Sequence, residues 1–266
     1  MFVTLFMLPL AIFAQTQPIL EGDFTQGSLV RGKLDTGAKV FLNDKAIKVS
    51  KKGHFVFGFG RDAALTQTLS WQLADETKQQ TLQITLSKRE YKIDKITGVS
   101  QKYVSPATEV LERIRKENSA IANARAVFTN SIDFTQDFIL PAEGRISGVY
   151  GSQRYFNGEP RRPHFGLDIA NITGTPVIAP AAGIVRLAHD DMYYSGGTLI
   201  LDHGFGVSST FIHLSKIHVQ EGEKIEQGKL IAEIGATGRV TGPHLDWRIN
   251  WFRERLDPAL LVTLPQ

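Results

Sequence analysis

The 266-residue chain contains no cysteine. That excludes a disulfide framework, a thiolate metal site and a cysteine nucleophile, so any metal must be held by His, Asp or Glu. Charge of one sign is also scarce: 30 Lys and Arg stand against 27 Asp and Glu, a net charge of +3. With no basic stripe in the sequence, a nucleic-acid partner is not expected. Long apolar runs are missing apart from Met1–Ala14, an uncharged stretch followed by polar Gln15-Thr16-Gln17. Its length suits a secretory h-region ending at a small residue, although a basic n-region is lacking, and it is too short for a membrane anchor. What remains is 42% hydrophobic with 24 glycines, the composition of an ordered, turn-rich globular protein.

From Ile19 to Ile96 short alternating segments are separated by turns such as Asn43-Asp44 and Lys51-Lys52-Gly53. Leu29–Leu34, Ala38–Leu42, Ala46–Val49, His54–Phe59, Leu69–Leu73 and Thr81–Leu86 read as strands of a small β-sandwich. Ser105-Pro106 then gives a helix start signal, and Val110, Leu111, Ile114, Ile121, Ala124 and Phe128 recur at helical spacing. The charged residues between them, Glu109 to Glu117, read as solvated surface on a helix bridging two β domains. From Phe138 strands return, with Ser152–Pro163 as a polar loop and Val177–Ala188 as one apolar segment. The expected fold is mostly β. It comprises a signal peptide at 1–14, an N-terminal β-sandwich at 15–97, a helical linker at 98–137 and a C-terminal β domain at 138–266.

Chemistry concentrates in that last part. In a strand starting at His244, residues His244, Asp246 and Arg248 would share one face. His164 and Asp168 could join them only if the chain bends, because four residues of straight strand span about 13 Å; Gly166 is where a kink would be tolerated. His213 ends a hydrophobic strand and could face the same cleft. Imidazole and carboxylate are ordinary zinc ligands, and three protein ligands would leave a position open for water. The competing reading is that these histidines are scattered surface or core residues, and spacing alone does not separate the two. His203 reads as structural, His218 as surface, His189-Asp190-Asp191 as an exposed loop, and Tyr193, Tyr194, Tyr155 and Phe156 as packing aromatics.

The order of the motifs adds a further indication. Gly144-Arg145-Ile146, His164-x-Gly166-x-Asp168, Pro176-Val177-x-Ala179-Pro180, His203-Gly204, His213-Leu214-Ser215 and Gly238-Arg239-Val240-Thr241-Gly242-Pro243-His244-Leu245 together resemble the LytM or lysostaphin-type zinc metallopeptidases that cut peptidoglycan. The resemblance covers Ile139 to Leu261. It implies zinc as cofactor, with His164 and Asp168 as the first two ligands and His213 and His244 as the histidines that handle the attacking water and the oxyanion. It also implies peptidoglycan peptides as substrate, an exported and periplasmic location, and a cell-envelope protein as a further partner.

One position departs from the pattern, because Asp246 stands where the family has the second histidine of His-x-His. A carboxylate can bind zinc, so the expectation is a His164-Asp168-Asp246 ligand set, with weaker Lewis acidity because two carboxylates offset more of the ion's charge. Arg248 either diverts Asp246 from the metal or holds it in place. The functional expectation is a zinc-dependent endopeptidase acting on peptidoglycan cross-links. The alternative is an inactive LytM-like module that binds cell wall or activates a partner amidase.

Overall fold

The computed structural model describes residues 17–96, 108–156, 159–160 and 162–265; the leader reading of 1–14 and the Ser105-Pro106 start signal lie outside them. The first half holds β1 (Ile19–Glu21), β2 (Leu29–Lys33), β3 (Lys39–Leu42), β4 (Lys45–Ile47), β5 (His54–Gly58), β6 (Thr66–Gln72), β7 (Gln80–Thr85) and β8 (Ile93–Ile96). Sheets of order β1-β2-β5 and β4-β3-β6-β7 close on a core of Val30, Val40, Phe55, Phe57, Phe59, Leu69 and Trp71. Alternation along β3 and β6 sends one set of side chains inward and leaves polar ones outside.

Among the described residues one α-helix, α1 (Leu111–Ala126), follows. Rather than bridging two bodies, it lies on the second half: Ala120, Ile121 and Ala124 pack against Leu187, Met192 and Ile200. Its charged face is not wholly solvated. Arg113 reaches the backbone oxygen and carboxylate of Asp191, and Glu117 accepts from the Tyr193 amide, so these residues latch the helix to the sheet.

The second half contains β9 (Arg145–Gly148), β10 (Gln153–Phe156), β11 (Glu159–Pro160), β12 (Leu167–Ala170), β13 (Pro176–Ile178), β14 (Gly183–Met192), β15 (Gly196–Gly204), β16 (Val207–Ile217), β17 (Lys224–Ile225), β18 (Leu230–Ile234), β19 (His244–Trp251) and β20 (Glu254–Leu256). Ten of these form one sheet with the path β17-β14-β15-β16-β19-β12-β9, while β10 joins β11 and, in parallel, β8. Three expectations are corrected. Ser152–Pro163 contains the β10–β11 hairpin, because β8 supplies a partner from the other half. The segment 177–188 is split between β13 and β14. His189-Asp190-Asp191 lies in β14, with His189 opposite Thr198 of β15. Along β19 the odd-numbered Leu245, Trp247 and Ile249 enter the core, which turns His244, Asp246, Arg248 and Asn250 to the other face.

Candidate metal centre

β19 sits between β16 and β12, with Asp168 directly opposite Asp246 and Ile212 opposite Asp246 on the other side. The register therefore brings two carboxylates from neighbouring strands to one face. His164 precedes β12 and needs no bulge in that strand. Its amide donates to Ser152 O and its carbonyl accepts from Gly151 N, both at 2.8 Å, and these bonds swing it back over the strand. Ligand atoms of His164, Asp168 and Asp246 lie within 4.8 Å of one another.

Two glycines make this convergence sterically open. A Cβ at Gly166 would land on Asp246 Oδ1, and one at Gly148 on Asp168 Oδ2. The donors are also under-used. His164 Nε2 lies 3.1 Å from Asp168 Oδ1, yet both atoms are buried without completing a hydrogen bond among the described residues. Buried polar atoms left in this state are expensive unless another group satisfies them. Burial works against a charge on His164, but the Asp168 and Asp246 carboxylates override it and raise the pKa above the ordinary 6.5.

Asp246 is gripped by Arg248 of the same strand, Nε to Oδ1 at 2.9 Å and Nη2 to Oδ2 at 2.5 Å. Burial would favour the neutral acid, but the guanidinium beside it wins and lowers the Asp246 pKa to about 2. The pairing leaves the carboxylate inside the donor cluster rather than removing it. One planar fork on two oxygens still leaves acceptor capacity on each of them.

Beside the donors, the His213 and His244 rings lie 4.9 Å apart. His213 Nδ1 bonds Thr237 O and His244 Nδ1 bonds Gly242 O, both at 2.9 Å. With a carbonyl as partner Nδ1 is the protonated nitrogen, so in the neutral ring Nε2 carries the free lone pair. Burial pushes the His213 pKa below 6.5, with the Thr237 carbonyl opposing; the ring is therefore neutral and able to take a proton at neutral pH. His213 also has φ +68°, a left-handed backbone that a non-glycine residue adopts at a cost and that concentrates at working sites.

The remaining histidines fall elsewhere. His203 is fully buried and bonds Ala182 O and Ser209 Oγ, which is a structural role. His218 pairs with Glu233. The sequence reading missed Thr237, whose carbonyl orients His213 and which no motif flags. It also missed Arg125 and Arg255, which approach Arg248 through the packing of α1 on Thr210 and through the β19–β20 register respectively.

Residues 162–258 match the profile of peptidase family M23, and that span contains every donor and both histidines. The chain carries a peptidase family M23 domain. A crystal structure of a Pseudomonas aeruginosa protein assigned to peptidase M23 is 29% identical, covers 90% of this chain and 95% of its own, and superposes with a TM-score of 0.69, so the likeness includes the N-terminal sheets. An uncharacterized metalloprotease of Haemophilus influenzae is 32% identical over 206 residues, 76% of this chain and 43% of its own length. The peptidoglycan DD-endopeptidase ShyA of Vibrio cholerae is 36% identical over 115 residues, 43% of this chain and 26% of its own. The chain thus spans less than half the length of these two sequence relatives. The M23 domain agrees with the resemblance read from the motifs.

Proposed function

We propose that this protein is an exported, zinc-dependent endopeptidase that hydrolyses peptide cross-links of peptidoglycan, acting in the periplasm. The observation that carries this reading is the pair of buried, unsatisfied atoms, His164 Nε2 and Asp168 Oδ1, facing the Asp246 carboxylate. One imidazole and two carboxylates are a donor set that fits zinc. A divalent ion held there would supply Lewis acidity toward the scissile carbonyl and make water more acidic.

The chain's own residues supply the rest. His213, neutral through burial and with Nε2 free, is placed to accept a proton from water, and His244 beside it to donate a hydrogen bond to the oxyanion once protonated. Arg248 alters the charge balance expected of two carboxylates. Asp168 and Asp246 contribute −2 and Arg248 +1, leaving −1, the charge of a single carboxylate beside neutral ligands. The weaker Lewis acidity expected from the Asp246 exchange is thereby offset, and Arg248 serves as the group that holds Asp246 in place.

Digestion of purified sacculi, with muropeptides read by mass, tests the reading. Untreated protein with zinc should convert cross-linked dimers to monomers, and chelated protein or His244→Ala should not. Bound zinc with unchanged cross-linking would leave the alternative, a non-catalytic module that binds cell wall or activates an amidase. That alternative draws on Asp246 having both oxygens engaged by Arg248.

A further inference from the structure

Four guanidinium groups gather on the face of the sheet that carries the metal donors. Arg248 on β19 faces Thr210 on β16, and Arg125, from the last turn of α1, donates to that same Thr210 Oγ1 at 2.9 and 3.3 Å. Two residues along β19, Asn250 pairs with Arg255 of β20 on one side and Ser208 of β16 on the other. Side chains opposite one another across antiparallel strands share a face at about 5 Å, and next-but-one neighbours at about 7 Å. Arg255 and Arg162 both stand over the Phe165 ring, 5.6 and 5.7 Å from its centroid, and Phe165 directly follows the donor His164.

The anions do not match. Among the described residues Arg125, Arg162 and Arg255 make no ion pair, and Asp246 is occupied by Arg248. Three guanidiniums of the four are thus left without an ion-pair partner of their own. Burial, followed by repulsion from Arg255, Arg248 and Arg162, drives the Arg125 pKa well below its ordinary value; burial and the Arg248 and Arg162 charges bring Arg255 down to about 10. One potential donor on the same face, the Ser208 hydroxyl, is buried without a hydrogen-bond partner among the described residues. Cations placed this close without counter-charges raise the energy of the empty site, and an incoming anion would relieve it. The cluster is open at Arg255, which with Phe165 borders a cavity of about 650 Å³ lined also by Arg61, Trp251 and the carboxylates of Asp62 and Glu254.

We propose that Arg125 and Arg255, with Arg162 beside the Phe165 ring, form an anion subsite next to the metal donors that binds a carboxylate of the peptide being cut. This rests on the endopeptidase reading and deepens it: the substrate is selected for a free carboxyl group near the scissile bond, on the Arg248 side of the donors. Guanidinium forks match carboxylate geometry, which a lysine cluster would not do as well.

The test uses full-length protein carrying His244→Ala to stop turnover, and cross-linked muropeptide dimers prepared with free or fully amidated carboxyl groups. Calorimetry should show the free-acid dimer binding about tenfold tighter than the amide, the effect of one charge-assisted contact. Arg125→Gln or Arg255→Gln, each in that background, should bring the free-acid affinity down to that of the amide while leaving amide binding unchanged. Equal binding of both dimers before substitution overturns the subsite, as does an equal loss of both on substitution. Arg162→Gln, in an exposed residue with no part in packing the sheet, should give a smaller loss of the same selectivity if the others fail to fold; no loss there counts against the proposal. Cleavage of sacculi by unsubstituted protein without acid preference sinks the subsite alone. Acid preference without cleavage sinks only the endopeptidase reading.

Discussion

Asp246 and Arg248 carry the main chemical departure in the site, and their fates are tied. Removing Arg248 would leave a buried carboxylate without its cation, a loss of about 3 kcal/mol in metal-free protein. Arg248→Met should therefore lower the urea midpoint markedly, and added zinc should recover part of the loss by binding only the folded state. The pH dependence has a definite sign. Because the folded pKa of Asp246 is lowered to about 2, its contribution is fully present above the ordinary carboxylate pKa. It is lost as pH falls from about 4 toward 2. In metal-free protein Asp246→Asn should flatten the fall in stability across that window, measured by urea melts at fixed pH. The side-by-side placement of Asp246 and Arg248 was legible in the sequence because strand parity fixes which residues share a face. The guanidinium cluster was not, because Arg125 and Arg255 join it through partners 85 residues away or across a hairpin, and parity within one segment says nothing about either.

Among the elements, the entry to β12 does most to shape the cleft. A straight strand would keep His164 and Asp168 apart, and the sequence reading placed the necessary bend at Gly166. The chain instead turns before the strand, where Gly151 and Ser152 hold His164. Gly166 is needed because the Asp246–Arg248 pair lies against it. Gly166→Ala should therefore push the carboxylate out of the donor set and weaken zinc binding at least tenfold, as displaced ligand geometry does, while Tm in the absence of zinc moves much less. Competition with a chelating dye measures the first and calorimetry the second. Unchanged zinc affinity would falsify this role. Strands β2 to β7 were legible from their short apolar runs between turns, whereas β1 and β8 were not singled out. The β10–β11 pair was not legible, because its partner β8 lies about 60 residues upstream and its own residues, Gln153-Arg154-Tyr155-Phe156 and Glu159-Pro160, show no apolar alternation.

At the scale of the whole molecule the two halves share a core. Leu29 and Val56 of the first half pack in one cluster with Leu167, Trp247, Ile249 and Leu256 of the second. Around it Arg89 pairs with buried Asp257 at 2.8 Å, and Arg61 donates to Gly151 O. Calorimetry should accordingly show one unfolding transition rather than two. Asp257→Ala, which removes the ion-pair partner of Arg89 and the side-chain acceptor of the Ala259 amide, should lower that single Tm by several degrees, about 2 kcal/mol in stability. β8 adds something of a different kind. It runs beside β10, the strand reached from the turn that holds His164, and takes up one side of β10 while β11 takes the other. A fragment cut to residues 138–266 would strip that neighbour away, uncover the apolar patch that Leu29 and Val56 had shielded, and leave β10 with a bare hydrogen-bonding edge. Open edges recruit other strands, so the excised fragment should self-associate on a sizing column where the intact chain does not.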